Sequence, residues 1–93
     1  MDTHNDIRMG CGEIRQEIAG FRTVVGAKQL RKSLLNGNAC KVYLAQDADP
    51  AITEPLAALC QSHCVPFSWV LSMKELGKAC GIDVGAAAAA AVM

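Results

Sequence analysis

The sequence predicts an α/β protein, a three-layer α/β/α sandwich in which helices and strands alternate around a four-stranded mixed sheet. Segments with apolar residues at helical spacing alternate with short runs rich in β-branched or aromatic residues. Glycine or proline stands at most of the junctions between them. The 93 residues are 52% hydrophobic and 19% charged, which is enough to bury the core of one small domain. We expect that domain over residues 9–93, after a flexible N-terminus at residues 1–8.

In the first half of the chain, the pattern predicts helix, strand, helix and strand. These elements cover residues 10–19, 22–25, 27–36 and 40–45. Both helical segments have apolar residues three and four positions apart, and each is followed by a glycine, Gly20 or Gly37, which is typical of a helix end. Gly26 separates the β-branched run from the second helix.

The second half repeats this alternation over residues 50–63, 66–71, 73–81 and 85–93. Asp49 followed by Pro50 is typical of a helix N-cap, but Thr53 is a rival cap because Pro55 is best suited to a first turn. Ser72, with a glutamate three residues later, indicates a capping box at the start of the fourth helix.

Six consecutive alanines, residues 86–91, pose a conflict between local and global preference. Alanine has the highest intrinsic helix propensity. The position after a helix in an alternating chain, however, belongs to a strand. We therefore predict a buried central strand whose small side chains let helices pack closely on both faces.

The charge is balanced overall but unevenly distributed. Nine basic residues match nine acidic ones, which excludes a protein that binds polyanions with its whole surface. Five of the bases lie between Glu17 and Asp47, where there is no acidic residue. This segment predicts either a solvated helix face or an anion site.

The five cysteines and two histidines do not predict a metal site, a disulfide or a cofactor. Cys60, His63 and Cys64 lie within one helix end, a spacing that suits no common zinc motif and leaves no obvious fourth ligand. An odd number of cysteines is expected to stay as free thiols in a reducing compartment. With a polar start at residues 1–6 and no apolar stretch near 20 residues, a cytoplasmic protein without a membrane span is expected.

Three blocks of the sequence resemble a known family. They are residues 26–32 (GAKQLRK), 42–50 (VYLAQDADP) and 76–87 (LGKACGIDVGAA). The chain resembles the ribosomal protein L7Ae/L30e family, in particular its small bacterial members, from about residue 22 to residue 93. The first helix matches only loosely, and residues 1–8 do not match.

The resemblance implies the sandwich fold described above and a function in binding RNA without catalysis. The implied ligand is a kink-turn, an RNA duplex sharply bent at a short bulge that is followed by tandem sheared G·A pairs. Such a protein is ribosomal or ribosome-associated, acts as a monomer, and binds ribosomal RNA or an mRNA leader. The implied RNA-binding residues are Gly26, Ala27, Lys28, Gln29, Arg31, Lys32, Asp49, Ile82, Asp83 and Val84.

The residue chemistry suits these implied roles. Gly26 permits close approach of the backbone, and the helix start that follows offers free N–H groups to phosphate. Lys28 and Gln29 are expected to reach base edges, and Lys32 to reach either guanine or phosphate. Asp49 is expected to accept a hydrogen bond from a base amino group. Residues 82–84 are expected to hold the bulge, with Ile82 and Val84 against an extruded base.

Two positions depart from the family pattern. Ala27 stands where bacterial members have threonine, and Asp83 stands where glutamate is usual. Two plainer interpretations also stay open, a solvated face for the cations and simple loop packing for Ile82 and Val84. The competing functions are a protein-interaction module of the same fold and, because Asp47 and Asp49 follow a strand, a small aspartate phosphatase.

Overall fold

The computed structural model describes residues 9–93, and the predicted N-terminal segment 1–8 lies outside the described residues. Helices and strands alternate along the chain, as the sequence predicts. They are α1 (Cys11–Ile18), β1 (Arg22–Val25), α2 (Ala27–Asn36), β2 (Ala39–Ala45), α3 (Pro50–Ser62), β3 (Phe67–Val70), α4 (Met73–Ala79) and β4 (Ala88–Val92). The longest helix described, α3, has 13 residues, and no helix in residues 9–93 is long and apolar enough to cross a membrane.

The four strands form one mixed sheet in the order β1-β4-β2-β3. β4 is antiparallel to both of its neighbours, and β2 is parallel to β3. In this register Ala89 lies between Val25 of β1 and Tyr43 of β2. The predicted fold class is therefore confirmed.

The sheet is covered by helices on both faces because successive residues of a strand point to opposite sides. On β2, Val42 and Leu44 pack with residues of α2 and α3. Tyr43 and Ala45, between and after them, pack with residues of α1 and α4. The two buried clusters give the three layers of the sandwich.

The alanine-rich segment forms the central strand, as predicted, but the strand begins at Ala88 rather than at Ala86. Ala86 donates its backbone N–H to the Met73 carbonyl at 3.0 Å, and Ala87 accepts a hydrogen bond from the Ala45 N–H at 2.9 Å. All five residues of β4 are buried. Tertiary packing on both faces thus overrides the helix propensity of alanine.

Asp49, and not Thr53, caps α3. The Asp49 carboxylate accepts a hydrogen bond from the Ala51 N–H at 2.9 Å, while Thr53 is buried within the helix. The expectation that Pro55 occupies a first turn is wrong, because Pro55 lies inside α3. Since proline has no N–H, the helical bond to the Ala51 carbonyl is not made there.

The predicted capping box of α4 is only half formed. Ser72 accepts a hydrogen bond from the Glu75 N–H at 3.1 Å, as expected. The Glu75 carboxylate instead accepts from the Cys11 N–H at 2.8 Å, at the start of α1. This contact fastens the start of α1 to α4, and Met9, which bridges β3 at Val70, joins the first described residue to the edge strand of the sheet.

Candidate nucleic-acid interface

Most of the sequence-predicted site residues follow strand ends that lie at one end of the sheet. Leu44 at the end of β2 lies opposite Ala88 at the start of β4, and Val25 at the end of β1 lies opposite Ala89. The ends of β2 and β3 also coincide, because these strands are parallel and in register. The starts of α2 and α3 and the segment that enters β4 therefore lie along this end of the sheet, where β1, β2 and β3 end and β4 begins. We call it the ligand edge.

Gly26 begins α2 in a backbone conformation that only glycine adopts readily. Its φ is 101° and its ψ is 147°, a region from which a Cβ excludes other residues. A Cβ there would meet no neighbouring atom within 4 Å, so the requirement comes from conformation and not from crowding. The Gly26 N–H donates to the Ala88 carbonyl at 2.9 Å, which fixes the start of α2 against β4.

Among the residues that the structure describes, no side chain caps the first turn of α2. The N–H groups of Ala27, Lys28 and Gln29 precede the first helical donor, which is the Leu30 N–H bonded to the Gly26 carbonyl at 2.9 Å. Free N–H groups and the helix dipole make such a turn attractive to an anion.

Three cations extend this positive potential along α2. Lys28, Arg31 and Lys32 are exposed, whereas Leu30 and Leu34 of the same helix are buried. Among residues 9–93 no carboxylate lies within 4.0 Å of these three side chains. Gln29 is exposed as well, so α2 presents a mixed cationic and amide surface.

The other two bases of the predicted basic segment lie elsewhere. Lys41 forms a salt bridge with Glu17 of α1 at 2.7 Å. Arg22 donates to the Met93 carbonyl at 3.2 Å, at the far end of β4. The five bases therefore do not form one surface. Lys41 bonds to α1, which covers the opposite face of the sheet from α2, and Arg22 lies at the start of β1, whereas α2 begins after its end.

Lys41 belongs to a polar cluster on the α1 and α4 side of the sheet. The Tyr43 hydroxyl donates to the same Glu17 carboxylate at 2.8 Å. Burial and this hydrogen bond raise the pKa of Tyr43. Partial burial opposes ionisation of Glu17, but the hydrogen bonds from Lys41 and Tyr43 prevail and lower its pKa. The cluster ties α1 to β2 and lies away from the ligand edge.

The two aspartates after β2 both cap helices. Asp49 caps α3, as described, and the Asp47 carboxylate accepts a hydrogen bond from the Met73 N–H at 2.8 Å, at the start of α4. Each carboxylate therefore has a structural role at the start of a helix. Asp49 remains exposed at the ligand edge, with one carboxylate oxygen engaged in the cap.

The segment between α4 and β4 presents apolar side chains to solvent. Ile82 is 36% exposed and Val84 is 70% exposed, and Asp83 between them is also exposed. Simple loop packing therefore does not account for Val84. An exposed aliphatic surface suits the flat face of an unstacked base better than it suits water.

Two glycines that hold this loop were not singled out from the sequence. Gly77 and Gly85 lie where α4 and the loop approach closely. One sequence signal could have identified the first of them. A glycine inside a short predicted helix costs about 1 kcal/mol relative to alanine, so it needs a packing reason.

The cysteines show no arrangement suited to a metal. Cys60 is buried, and burial raises its pKa to about 11, whereas Cys64 is exposed. Within the described part of the chain, no three His, Cys, Asp or Glu side chains are placed to hold an ion. The absence of a bound metal stays a prediction.

Comparison with known proteins provides independent findings. The sequence profile of the family described as "Ribosomal protein L7Ae/L30e/S12e/Gadd45 family" matches residues 9–93. An RNA-binding protein of Caldanaerobacter subterraneus is 43% identical over 72 residues, which cover 77% of this chain and 88% of the relative. RNA-binding protein YbxF of Geobacillus stearothermophilus is 48% identical over 69 residues, which cover 74% of this chain and 84% of the relative.

The same fold occurs in a solved structure titled "Giardia lamblia 15.5kD RNA binding protein". The match has a TM-score of 0.80 at 24% identity, and it covers 100% of this chain and 84% of the other. At this identity the likeness shows the fold alone. The family match and the bacterial relatives together establish that the chain belongs to the ribosomal protein L7Ae/L30e/S12e/Gadd45 family.

Proposed function

We propose that this protein binds kink-turn RNA and performs no chemistry, acting as a cytoplasmic monomer on ribosomal RNA or an mRNA leader. One observation supports the proposal above all others. At one end of the sheet lie the start of α2, whose three exposed cations have no carboxylate within 4.0 Å among residues 9–93, and the segment that carries the exposed aliphatic loop into β4. The bacterial relatives named as RNA-binding proteins agree with it.

The helix start provides the phosphate contacts and part of the base recognition. N–H groups of residues 27–29 donate to a phosphate, which is drawn there by the helix dipole and by Arg31. Lys28 and Gln29 point from the same turn towards base edges, and Lys32, one turn further on, reaches guanine or a nearby phosphate.

The other end of the site recognises the bulge. Asp49 keeps one carboxylate oxygen free of its capping bond, and that oxygen accepts a hydrogen bond from a base amino group. Ile82 and Val84 cover the flat face of an extruded base, and Asp83 lies between them.

Selectivity follows from the shape of RNA. The major groove of a straight A-form duplex is too deep and narrow for side chains to read. Sheared G·A pairs and a sharp bend open base edges and free the bulged nucleotide, so only bent RNA presents targets to α2 and to the loop together. A straight duplex offers phosphates alone.

Two substitutions on α2 test this division of roles. Gln29→Ala removes a base-edge contact, so it should cost about 1–3 kcal/mol of binding free energy on the kink-turn and little on a straight duplex. Arg31→Ala removes a phosphate contact, so it should weaken binding to both RNAs. The slope of the logarithm of the binding constant against the logarithm of the salt concentration should fall by about one in magnitude. Equal losses on both RNAs from Gln29→Ala would contradict base recognition by α2.

A protein-interaction module is the second candidate, and one feature favours it. A shallow, mostly apolar groove of about 480 Å³ lies between α2 and α3, and its lining includes Arg31, Leu35 and Leu59. This function predicts no preference between RNAs. Leu35 lies in the groove and is 62% exposed. Loss of RNA binding in Gln29→Ala, with no loss in Leu35→Ser, would therefore favour RNA binding by α2 over the interaction module.

A further inference from the structure

The aliphatic loop lies directly on α4, and a glycine in that helix makes this contact possible. A Cβ at Gly77 would collide with the Val84 carbonyl oxygen, and it would lie 3.1 Å from the Val84 carbonyl carbon and 3.2 Å from the Gly85 Cα. Gly77 is buried. Because the atoms it would meet are backbone, no side-chain rotation relieves the clash.

The loop is held on both sides of this contact. The Ile82 N–H donates to the Gly77 carbonyl at 3.0 Å, and the Ala86 N–H donates to the Met73 carbonyl at 3.0 Å. A Cβ at Gly85 would lie 3.1 Å from the Met73 Cβ, so this second glycine also permits close approach. The loop backbone therefore rests on α4 while the Val84 side chain is 70% exposed.

A glycine in this position has no local advantage. Apart from proline, glycine is the least favourable residue in a helix interior, and α4 has only seven residues. Close backbone approach is the physical reason for its presence. What the contact provides is a loop whose apolar surface is already in place before a ligand arrives.

We propose that Gly77 is a positioning residue that sets the selectivity of the ligand edge, an inference that rests on the proposed function. By seating the loop on α4, it holds Ile82 and Val84 where an extruded base meets them without rearrangement. The cations of α2 are on a separate element, so the phosphate contacts do not depend on Gly77. Selectivity for bent RNA and general affinity for RNA are thereby separable.

The test compares three glycine-to-alanine variants on a kink-turn and on a straight duplex of equal length. Gly77→Ala should weaken kink-turn binding about tenfold or more and leave straight-duplex binding unchanged. Gly85→Ala should have a smaller effect of the same kind, because its neighbours need to move only slightly. Gly12→Ala is the matched control, since a Cβ there meets nothing within 4 Å, and it should change neither affinity.

Hydrogen exchange provides a readout that needs no RNA. In Gly77→Ala the amides of Ile82 and Ala86 should exchange faster, because displacement of the loop breaks their bonds to α4, whereas Gly12→Ala should leave them protected. Unchanged protection of both amides in folded Gly77→Ala would overturn the inference.

A double-mutant cycle with Val84→Ala separates positioning from general destabilisation. If Gly77 acts by placing Val84, then Val84→Ala should weaken kink-turn binding in the wild-type background and have little further effect in the Gly77→Ala background. Additive losses would overturn the inference. If Gly77→Ala does not fold, as judged by circular dichroism, hydrogen exchange of the free wild-type protein decides it: the amides of Ile82 and Ala86, which bond to α4, should be protected, and unprotected exchange of both would overturn the inference.

The outcomes for the two proposals are distinguishable. If the wild-type protein binds bent and straight RNA equally, the proposed function and this inference both fail. If the wild type is selective and folded Gly77→Ala is equally selective, only the role of Gly77 fails.

Discussion

Enlarging a central alanine of β4 should destabilise the fold. Ala89 is completely buried, lies between Val25 and Tyr43 in the sheet, and packs in the same cluster as Leu76 of α4. Leucine adds three carbon atoms, whose burial in free space would be worth about 0.8 kcal/mol each. No such space exists in an interior packed as densely as a crystal, so Ala89→Leu should lower the free energy of unfolding by about 1–3 kcal/mol.

Urea and thermal denaturation measure this effect. For a domain of this size, each 1 kcal/mol corresponds to a fall in Tm of about 4–8 °C. Ala58→Leu is the control, because Ala58 is exposed in α3 and both residues are good helix formers, so its effect should stay within about 0.5 kcal/mol. Unchanged or increased stability in Ala89→Leu would refute the argument that β4 is packed tightly on both faces.

Three further predictions concern the backbone, the polar cluster and the thiols. Gly26→Ala should cost about 1–3 kcal/mol of stability from backbone strain alone, measured by denaturation beside Gly12→Ala; equal stability of the two variants would refute the strain. Tyr43→Phe removes the hydrogen bond to the Glu17 carboxylate and should cost about 1 kcal/mol at neutral pH. Because the pKa of Tyr43 is raised in the folded protein, its contribution is complete below the ordinary value of 10.0 and is lost as pH rises beyond it. That alkaline loss should therefore be smaller in Tyr43→Phe, and identical slopes would exclude a role for the hydroxyl. Native mass spectrometry should give the bare chain mass, while a stoichiometric zinc adduct or a disulfide would contradict the prediction of free thiols.

Element type and order were predictable because each local signal agreed with the alternation of the fold. The alanine segment is predictable only from this alternation, since its own propensity favours helix and its place after α4 favours strand. Its first residue was not predictable, because Ala86 leaves the sheet to bond to Met73, which is distant in sequence. The partner of the Glu75 carboxylate escaped prediction for the same reason, since Cys11 is 64 residues away.

The candidate site was predictable where it depends on helical spacing and less so elsewhere. Exposure of Lys28 and Lys32 follows from the spacing of Leu30 and Leu34 on α2. The salt bridge between Lys41 and Glu17 depends on the packing of α1 against β2, and no local sequence pattern predicts that packing. The seating of the loop on Gly77 is likewise a tertiary contact, visible in sequence only as an unfavourable residue within a helix.

The most direct test of the proposed function is a titration of the wild-type protein, at physiological salt, against a kink-turn duplex and a straight duplex of equal length. Fluorophores on the two arms of the bent RNA report its geometry in the same experiment. We expect much tighter binding to the kink-turn and a shorter distance between the arms when protein is added. Equal affinity for the two RNAs, with no change in that distance, would contradict the proposed function and leave only the fold and the family membership.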